Sequence, residues 1–405
     1  MNRFLRRDLR RRLRLCLAAA LLLPPFLWAD VPDDSRGFRN GSLLQSPDWQ
    51  QVGGLAPPPV VAARAAVLVE AETGTILFAK NPHLVIPAAS LTKVVAIHAA
   101  ILADRLGEID LDLLVQPPPE SWAMNQAPGS SLMFLGPGQL LSIWQLIEGL
   151  AVSSGNDAAV ALALQVDGSV SAFAQRMNAV VRAAGLVTSS FVEPSGLSPF
   201  NLTTAYEYSA FIRLHLQEFP ELTDRLYARR SYTYPQERNR VAEDAGPSIT
   251  QSNRNLLLGS YSGADGVKTG FIDESGYHLA ATATRDGRRL IAVVLGVSAA
   301  SHAEGGSTRA ADAAALLDYG FDEFDLFRFG HPPIEPVRVY KGERTSVDPI
   351  GPGPLAVSVP AGAGERLRGK VEQISEVVAP VPAGAAVGMI RVSLDGLTLA
   401  EGQVT

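Results

Sequence analysis

The chain has 405 residues, of which 47% are hydrophobic and 19% are charged, and its formal net charge is −6. High hydrophobicity with a modest net charge excludes a largely disordered chain, and the acidic balance argues against a dedicated nucleic-acid-binding protein. At about 100–200 residues per domain, two or three domains are expected.

The first 29 residues have the pattern of a secretory signal peptide. Seven arginines lie in residues 1–14, an apolar run follows over residues 15–28, and the run ends at the small residue Ala29. This order predicts export to the periplasm or cell-wall space, with cleavage near Ala29. An uncleaved N-terminal anchor is the alternative. The single cysteine, Cys16, lies in this segment, so the exported chain would contain no disulfide.

The composition changes twice after the signal segment. Residues 30–62 are polar, contain three consecutive prolines at 57–59, and are interpreted as a linker. Residues 63–330 form a large body, which ends in a connection rich in Pro and Gly. Residues 334–405 contain short β-branched runs separated by Gly and Pro, with a hairpin signal at Asp395-Gly396. This pattern predicts a small all-β domain.

Within the large body, β-runs at both ends enclose a helical middle. Two β-runs lie in residues 65–80, helical patterns cover 93–107, 140–152, 157–166, 170–185 and 203–219, three β-runs lie at 264–270, 277–287 and 288–298, and a helix over 307–321 follows. Strands at both ends with helices between them predict an α/β (α+β) fold, in which an antiparallel sheet carries a helical insert.

The segment Pro-Ala-Ala-Ser-Leu-Thr-Lys at 87–93 is the first candidate for chemistry. It places Ser90 at the predicted start of a helix and Lys93 three residues later. Side chains at i and i+3 share a helix face, so a lysine with a lowered pKa could take the serine proton and activate the hydroxyl. Arginine cannot lose its proton in this way. A helix-capping serine beside a solvated lysine is the alternative that this motif alone leaves open.

Two further polar segments strengthen the catalytic interpretation. Ser154 and Asn156 fall between two helical patterns, where an irregular turn could direct both side chains into a cleft. Lys268, Thr269 and Gly270 lie at a strand end, where a cation and a hydroxyl could bind a carboxylate and the glycine allows close backbone approach. Taken singly, a helix cap and a strand running into a turn explain these segments equally well.

Lysine usage adds an independent argument. The chain has five lysines among its 35 basic residues, and only Lys80, Lys93 and Lys268 lie in the large body. Two of these three, Lys93 and Lys268, fall in the motifs, which indicates that arginine could not replace lysine at these positions. Zinc-binding spacings, a Gly-x-Ser-x-Gly elbow and a phosphate-binding lysine loop are absent from the sequence, so those chemistries are not expected.

Ser-x-x-Lys, Ser-x-Asn and Lys-Thr-Gly, in this order, resemble the signature of penicillin-recognising serine enzymes. The flanking sequences EPSGLS at 193–198 and GADGVKTGF at 263–271 are similar to the D-alanyl-D-alanine carboxypeptidase family, the low-molecular-mass penicillin-binding proteins of peptidase family S11. The resemblance covers about 63–320. The run AGAAVGMIRVSLDG at 383–396 resembles the C-terminal domain of that family.

The resemblance implies the penicillin-binding/β-lactamase-like transpeptidase fold and a serine-type D-Ala-D-Ala carboxypeptidase that needs no metal or organic cofactor. Ser90 would attack the peptide bond between the last two D-alanines and form an acyl-enzyme, with Lys93 as its general base. Ser154 and Asn156 would orient the substrate and pass a proton to the leaving D-alanine.

The third motif would bind the end of the substrate. By the same resemblance, Lys268 and Thr269 would hold the terminal carboxylate beside Gly270, and the backbone N–H groups of Ser90 and Phe271 would form the oxyanion hole. The implied partners are peptidoglycan peptides ending in D-Ala-D-Ala and β-lactam antibiotics.

Three alternatives stay open at this point: a D,D-endopeptidase, a serine β-lactamase on the same site, and a non-catalytic cell-wall-binding scaffold. Glu193 raises the β-lactamase alternative, because class A β-lactamases use a glutamate in deacylation. We favour a loop carboxylate outside the cleft. The sequence stops at Thr405 without an apolar-plus-basic helix, so a C-terminal membrane anchor is not expected.

Overall fold

A computed structural model describes residues 43–405 of the chain. The predicted signal segment and residues 30–42 lie outside the described residues. The described α-helices are α1 (Trp49–Val52), α2 (Thr92–Arg105), α3 (Ile143–Glu148), α4 (Asn156–Asp167), α5 (Val170–Ala183), α6 (Ala205–Glu218) and α7 (His302–Glu323). No helix in residues 43–405 is long and apolar enough to cross a membrane.

The strands divide between the large body and the C-terminal region. Those of the large body are β1 (Ala65–Glu70), β2 (Ile76–Lys80), β3 (Ile86–Pro87), β4 (Leu114–Val115), β5 (Leu141–Ser142), β6 (Leu202–Thr203), β7 (Ser231–Tyr234), β8 (Ile249–Ser252), β9 (Ala264–Ile272), β10 (Gly276–Arg285) and β11 (Arg288–Val297). Those that follow are β12 (Phe324–Phe329), β13 (Val337–Tyr340), β14 (Ser346–Val347), β15 (Leu355–Pro360), β16 (Leu367–Gln373), β17 (Glu376–Val378), β18 (Gly388–Leu394) and β19 (Leu397–Val404).

The large body is built on a five-stranded antiparallel sheet in the order β2-β1-β11-β10-β9. Residues 65–69 of β1 and 290–295 of β11 are continuous aliphatic runs because both faces of the sheet are covered. Val67 and Val293 face the helical insert, whereas Leu68 and Val294 face α7 on the opposite side. The predicted antiparallel sheet with a helical insert is confirmed.

Helix α2 is the centre of the insert. Eleven of its 14 residues are buried, so it has no solvated face for most of its length. Small and aliphatic residues such as Ala96, Ile97 and Ala100 allow neighbours to pack on every side. A helix fixed in this way gives its first turn, which contains Lys93, little freedom to move.

The C-terminal region is all-β, as predicted. It contains the sheets β14-β13-β17 and β16-β18-β19 and the pair β12-β15. Strand β12 was expected to belong to the large body, which was predicted to extend to residue 330. Instead, Phe324 pairs with Pro360 and Phe329 with Leu355, so β12 is a strand of the C-terminal region. The change of architecture therefore falls at the end of α7.

The interpretation of residues 30–62 as a linker is wrong for residues 43–62. Leu44 is buried in the core of the large body, and the Trp49 indole donates a hydrogen bond to the Ile76 carbonyl at 2.9 Å. Trp49 also packs on Phe324 at a centroid distance of 5.2 Å, and Val52 joins the apolar core of the C-terminal strands. The polar composition that suggested a linker concealed these apolar anchors.

We predict that Trp49→Ala lowers the free energy of unfolding by about 3 kcal/mol, because the indole packs against both the large body and the C-terminal strands. Urea denaturation followed by circular dichroism measures the change. Val60 of the same segment is 99% exposed, so Val60→Ala should change stability by less than about 0.5 kcal/mol. Equal stability of the two variants would contradict the anchoring role.

Candidate active site

Ser90 lies in a single 3-10 turn, Ala89–Leu91, that runs directly into α2. The preceding residue, Ala89, has a left-handed φ of 48°, a conformation that costs free energy for a residue with a side chain. Lys93 follows one turn later, and its Nζ donates a hydrogen bond to Ser90 Oγ at 2.9 Å. The i, i+3 contact expected from the sequence is therefore present.

Lys93 is fully buried and has three oxygen partners. Besides Ser90 Oγ, its Nζ donates to Asn156 Oδ1 at 2.8 Å and to the backbone carbonyl of Ser195. Burial lowers the pKa of Lys93 to about 7, with a further lowering by Arg254. An amine with this pKa can accept a proton from a serine hydroxyl near neutral pH.

Ser154 is presented by an irregular break between two helices. A π-helical turn, Gly149–Ser153, follows α3, and Ser154 then adopts a left-handed φ of 59° before α4 begins at Asn156. Asp157 fixes the facing loop, because its carboxylate accepts the N–H groups of Met133, Phe134 and Leu135 at 2.7–3.0 Å. Both Ser154 and Asn156 line the cleft.

Strand β9 forms the other wall of the site at the edge of the sheet. Lys268 Nζ donates to Ser154 Oγ at 3.0 Å, which joins the second and third motifs. A Cβ atom on Gly270 would lie 3.2 Å from Ala89 Cβ and 3.3 Å from the Ala88 carbonyl oxygen. Glycine at this position therefore lets the strand approach the backbone beside Ser90.

The three motifs meet at a cleft with a volume of about 690 Å³. This volume is in the usual range for small-molecule sites. Of the eight residues predicted for the site, six line it, and Lys93 and Lys268 lie buried behind them. The six are Ser90, Ser154, Asn156, Thr269, Gly270 and Phe271.

Two arginines that the sequence analysis missed also line the cleft. Arg254 donates to Ser131 Oγ, and Arg309 donates to the carbonyls of Gly270 and His278 from helix α7. Burial lowers the pKa of Lys268 well below its usual value, and Lys93 and both arginines lower it further. So many cationic groups make this end of the cleft suited to an anion.

A sequence signal for Arg309 did exist. It occupies the apolar face of α7, four residues before Ala313 and seven before Leu316, where a charged side chain is unusual. Arg254 gave no comparable signal among the many arginines. Glu193 does not line the cleft, which agrees with its interpretation as a loop carboxylate.

A buried lysine in contact with a cleft serine, beside a strand edge rich in basic groups, is the arrangement expected of a serine hydrolase in which a lysine takes the serine proton. Comparison with known proteins gives the family. The family model for D-alanyl-D-alanine carboxypeptidase matches residues 54–299, and the model for the penicillin-binding protein 5 C-terminal domain matches residues 321–405.

Individual relatives agree with this assignment. The chain is 31% identical to the D-alanyl-D-alanine carboxypeptidase DacC of Escherichia coli, over 90% of this chain and 89% of the relative. Penicillin-binding protein 5 from Haemophilus influenzae superposes with a TM-score of 0.76 at 31% identity, over 86% of this chain and 98% of that structure. Penicillin-binding protein D2 from Listeria monocytogenes, solved in its cefotaxime-bound form, matches 66% of this chain and 100% of that one, with a TM-score of 0.56 at 26% identity.

The chain belongs to the D-alanyl-D-alanine carboxypeptidase family, peptidase S11, and is a serine-type D-Ala-D-Ala carboxypeptidase. The family resemblance noted in the sequence is thereby confirmed, together with the transpeptidase fold and the C-terminal β-rich region.

We predict that Gly196→Ala slows acylation by benzylpenicillin about 100-fold or more. A Cβ atom there would lie 1.9 Å from the Ala89 carbonyl oxygen and 2.8 Å from Ser90 N, so the backbone at Ser90 would have to move. Gly196 and Gly168 both have a left-handed φ, of 82° and 71°, but no atom lies near the Cβ position of Gly168. Gly168→Ala should therefore be acylated at the normal rate. Labelling rates with a fluorescent penicillin test both variants, and a wild-type rate for Gly196→Ala would contradict the prediction.

Proposed function

We propose that the protein removes the terminal D-alanine from peptidoglycan stem pentapeptides through an acyl-enzyme on Ser90, and that β-lactams acylate the same serine. The contact between Lys93 Nζ and Ser90 Oγ at 2.9 Å, with Lys93 buried and its pKa near 7, is the observation that carries the proposal. It supplies a base for the nucleophile without a histidine or a metal.

The first step forms the acyl-enzyme. Lys93 Nζ takes the proton of Ser90 Oγ, and the oxygen attacks the carbonyl carbon of the penultimate D-alanine. Strand β9 lies against the Ser90 turn, which supports backbone N–H groups of Ser90 and Phe271 as donors to the oxyanion. A donor of this kind is worth about 3 kcal/mol in the transition state.

The substrate carboxylate lies, in this proposal, at the cationic end of the cleft. Thr269 offers a hydroxyl there, Arg254 offers positive charge, and Lys268 lies buried behind them with its pKa lowered. A bound carboxylate brings the negative charge that would favour the ammonium form of Lys268. This gives preference to a free C-terminus, which is the substrate feature that distinguishes a carboxypeptidase.

The leaving D-alanine needs a proton as the peptide bond breaks. Ser154 Oγ is positioned to deliver it, since it is hydrogen-bonded to Lys268 Nζ at 3.0 Å, and Asn156 orients the acyl part. Ser154 then regains a proton from the Lys93 ammonium, which leaves Lys93 neutral again. Water attacks the ester carbonyl and gives a proton to Lys93, and this proton passes to Ser90 Oγ as the ester bond breaks and the shortened peptide leaves with a free carboxyl group. We also propose that the enzyme acts outside the cytoplasmic membrane, where its substrate lies, as the first 29 residues suggest.

We predict that Ser90→Ala abolishes both D-alanine release from a pentapeptide and covalent labelling by benzylpenicillin, with the fold intact. Mass spectrometry should locate the wild-type adduct on the peptide containing Ser90. Lys93→Arg should be nearly as inactive, because arginine stays protonated. The exposed Ser307 serves as control, and Ser307→Ala should match the wild type.

Other results would favour the alternatives. Rapid nitrocefin turnover would indicate a β-lactamase, and a folded wild type without any penicillin adduct would indicate a non-catalytic scaffold. Labelling that persists in Ser90→Ala would overturn the assignment of the nucleophile.

One feature of the cleft favours additional D,D-endopeptidase activity. Phe271 stacks on its cross-strand partner Tyr277 at a centroid distance of 4.3 Å, and the Tyr277 hydroxyl lies 3.0 Å from His302 Nδ1. All three line the same cleft as Ser90, and Phe271 lies on the Thr269 face of β9, two residues along the strand. This aromatic bay (Phe271, Tyr277 and His302) adjoins the proposed carboxylate position and offers room for a leaving group larger than D-alanine.

We predict that His302→Ala lowers kcat/KM for a cross-linked peptide dimer about 3–10-fold, because the aromatic bay loses one wall, while D-alanine release from a pentapeptide changes less than about 2-fold. His83 is an exposed histidine that packs at a tilted angle against Tyr206 and does not line the cleft, so His83→Ala is the control. Equal losses on both substrates, or no cleavage of dimers by the wild type, would contradict the endopeptidase proposal.

A further inference from the structure

Glu193 uses its carboxylate to shape the loop that follows it. Oε2 accepts the N–H of Ser195 at 2.6 Å, and Oε1 accepts the N–H of Gly196 at 2.7 Å and the Asn201 amide at 2.9 Å. Both oxygens are therefore engaged by donors of the 193–201 loop. A carboxylate held in this way is unsuited to activating water in the cleft.

The same loop touches the catalytic groups directly. The Ser195 carbonyl accepts a hydrogen bond from Lys93 Nζ, and the backbone at Gly196 packs against that of Ala89 and Ser90. At its far end, Asn201 Nδ2 donates to Thr92 Oγ1 at 3.1 Å. Thr92 immediately precedes Lys93 in α2, so the loop holds the Ser-x-x-Lys turn at several points.

Resting on the proposed function, we propose that Glu193 is a positioning residue: it shapes the 193–201 loop so that the Ser195 carbonyl fixes the Lys93 amine against Ser90. No assignment from the family motifs covers this residue. Its role follows from the chain of contacts from the carboxylate to the loop N–H groups, from the Ser195 carbonyl to Lys93, and from Lys93 to the nucleophile.

The charge of Glu193 gives the proposal a second readout. Three charged groups shift the pKa of the Lys93 amine: Glu193 and Asp157 favour the ammonium, and Arg254 opposes it. Lys268 also faces the site, and the charge of Lys93 lowers the pKa of Lys268. Among them Glu193 is the strongest influence that raises the pKa of Lys93 against the lowering by burial. Since the neutral amine is the base, the acylation rate should rise with pH through about 7 in the wild type.

Two variants separate the effect of the length of the Glu193 side chain from the effect of its charge. Glu193→Gln keeps the length and removes the charge, so the pKa of Lys93 should fall. The rising limb of the pH profile of acylation should then move to lower pH by about 0.5–1 unit. Glu193→Asp keeps the charge and shortens the side chain, so acylation should slow about 10-fold with the limb near its wild-type position. The second-order rate of benzylpenicillin acylation, measured from pH 5 to 9 on the full chain, reports the free enzyme.

Glu207 is the matched control. Its carboxylate also organises a loop, by accepting the N–H groups of Val187, Thr188 and Ser189 at 2.7–3.0 Å, but that loop makes no hydrogen bond to Lys93. Glu207→Gln should lower stability and leave the acylation limb in place. Thermal unfolding of each variant shows whether a rate was measured on folded protein.

Two results would overturn the proposal. The first is a Glu193→Gln variant whose acylation rate and pH profile match those of the wild type, and the second is the same shift of the pH profile in Glu207→Gln. If Glu193→Gln does not fold, Glu193→Asp decides, and a wild-type rate for it counts against the positioning role. Penicillin acylation is measured independently of D-alanine release. A wild type that is acylated but releases no D-alanine would therefore overturn the proposed substrate and leave the test of Glu193 valid.

Discussion

The site depends on keeping an amine out of water. An ammonium group transferred from water to a protein interior loses several kcal/mol of hydration, and the folded chain can avoid this cost by favouring the neutral amine. Lys93 is fully buried, yet three oxygens accept its hydrogen bonds. These hydrogen bonds orient the nitrogen of Lys93, and its burial lowers the pKa of the amine. This balance needs close packing around the first turn of α2, which the remainder of the large body provides.

The partners of that amine come from distant parts of the sequence. Ser90 is local, Asn156 is 63 residues away and the Ser195 carbonyl is 102 residues away. Lys268 reaches the site from the edge strand of the sheet and donates a hydrogen bond to Ser154. Because the contacts connect the insert to the sheet, distortion of either part would disturb the same few atoms.

Much of this arrangement is visible in the sequence, and the exceptions have physical reasons. Ser90, Lys93 and Lys268 stand out because few lysines occur and because short motifs preserve their spacing. The antiparallel sheet is evident from long aliphatic runs at both ends of the body. Partners that act through a backbone carbonyl, such as that of Ser195, leave no such trace, since any residue type supplies the carbonyl. Trp49 was missed for another reason: a few apolar anchors in a polar segment do not change its average composition.

The order of the strands constrains how the protein can acquire its structure. Strand β1 pairs with β11 over the register from Ala65–Leu295 to Glu70–Leu290, so neighbours in the centre of the sheet are separated by more than 200 residues of chain. A ribosome that has made the first 280 residues has not yet made the strand that belongs between β1 and β10. Closure of so long a loop is entropically expensive and slow. The central sheet, and the active site attached to its edge, can therefore form only after nearly three-quarters of the chain has been synthesised, because β11 ends at Val297 of 405 residues.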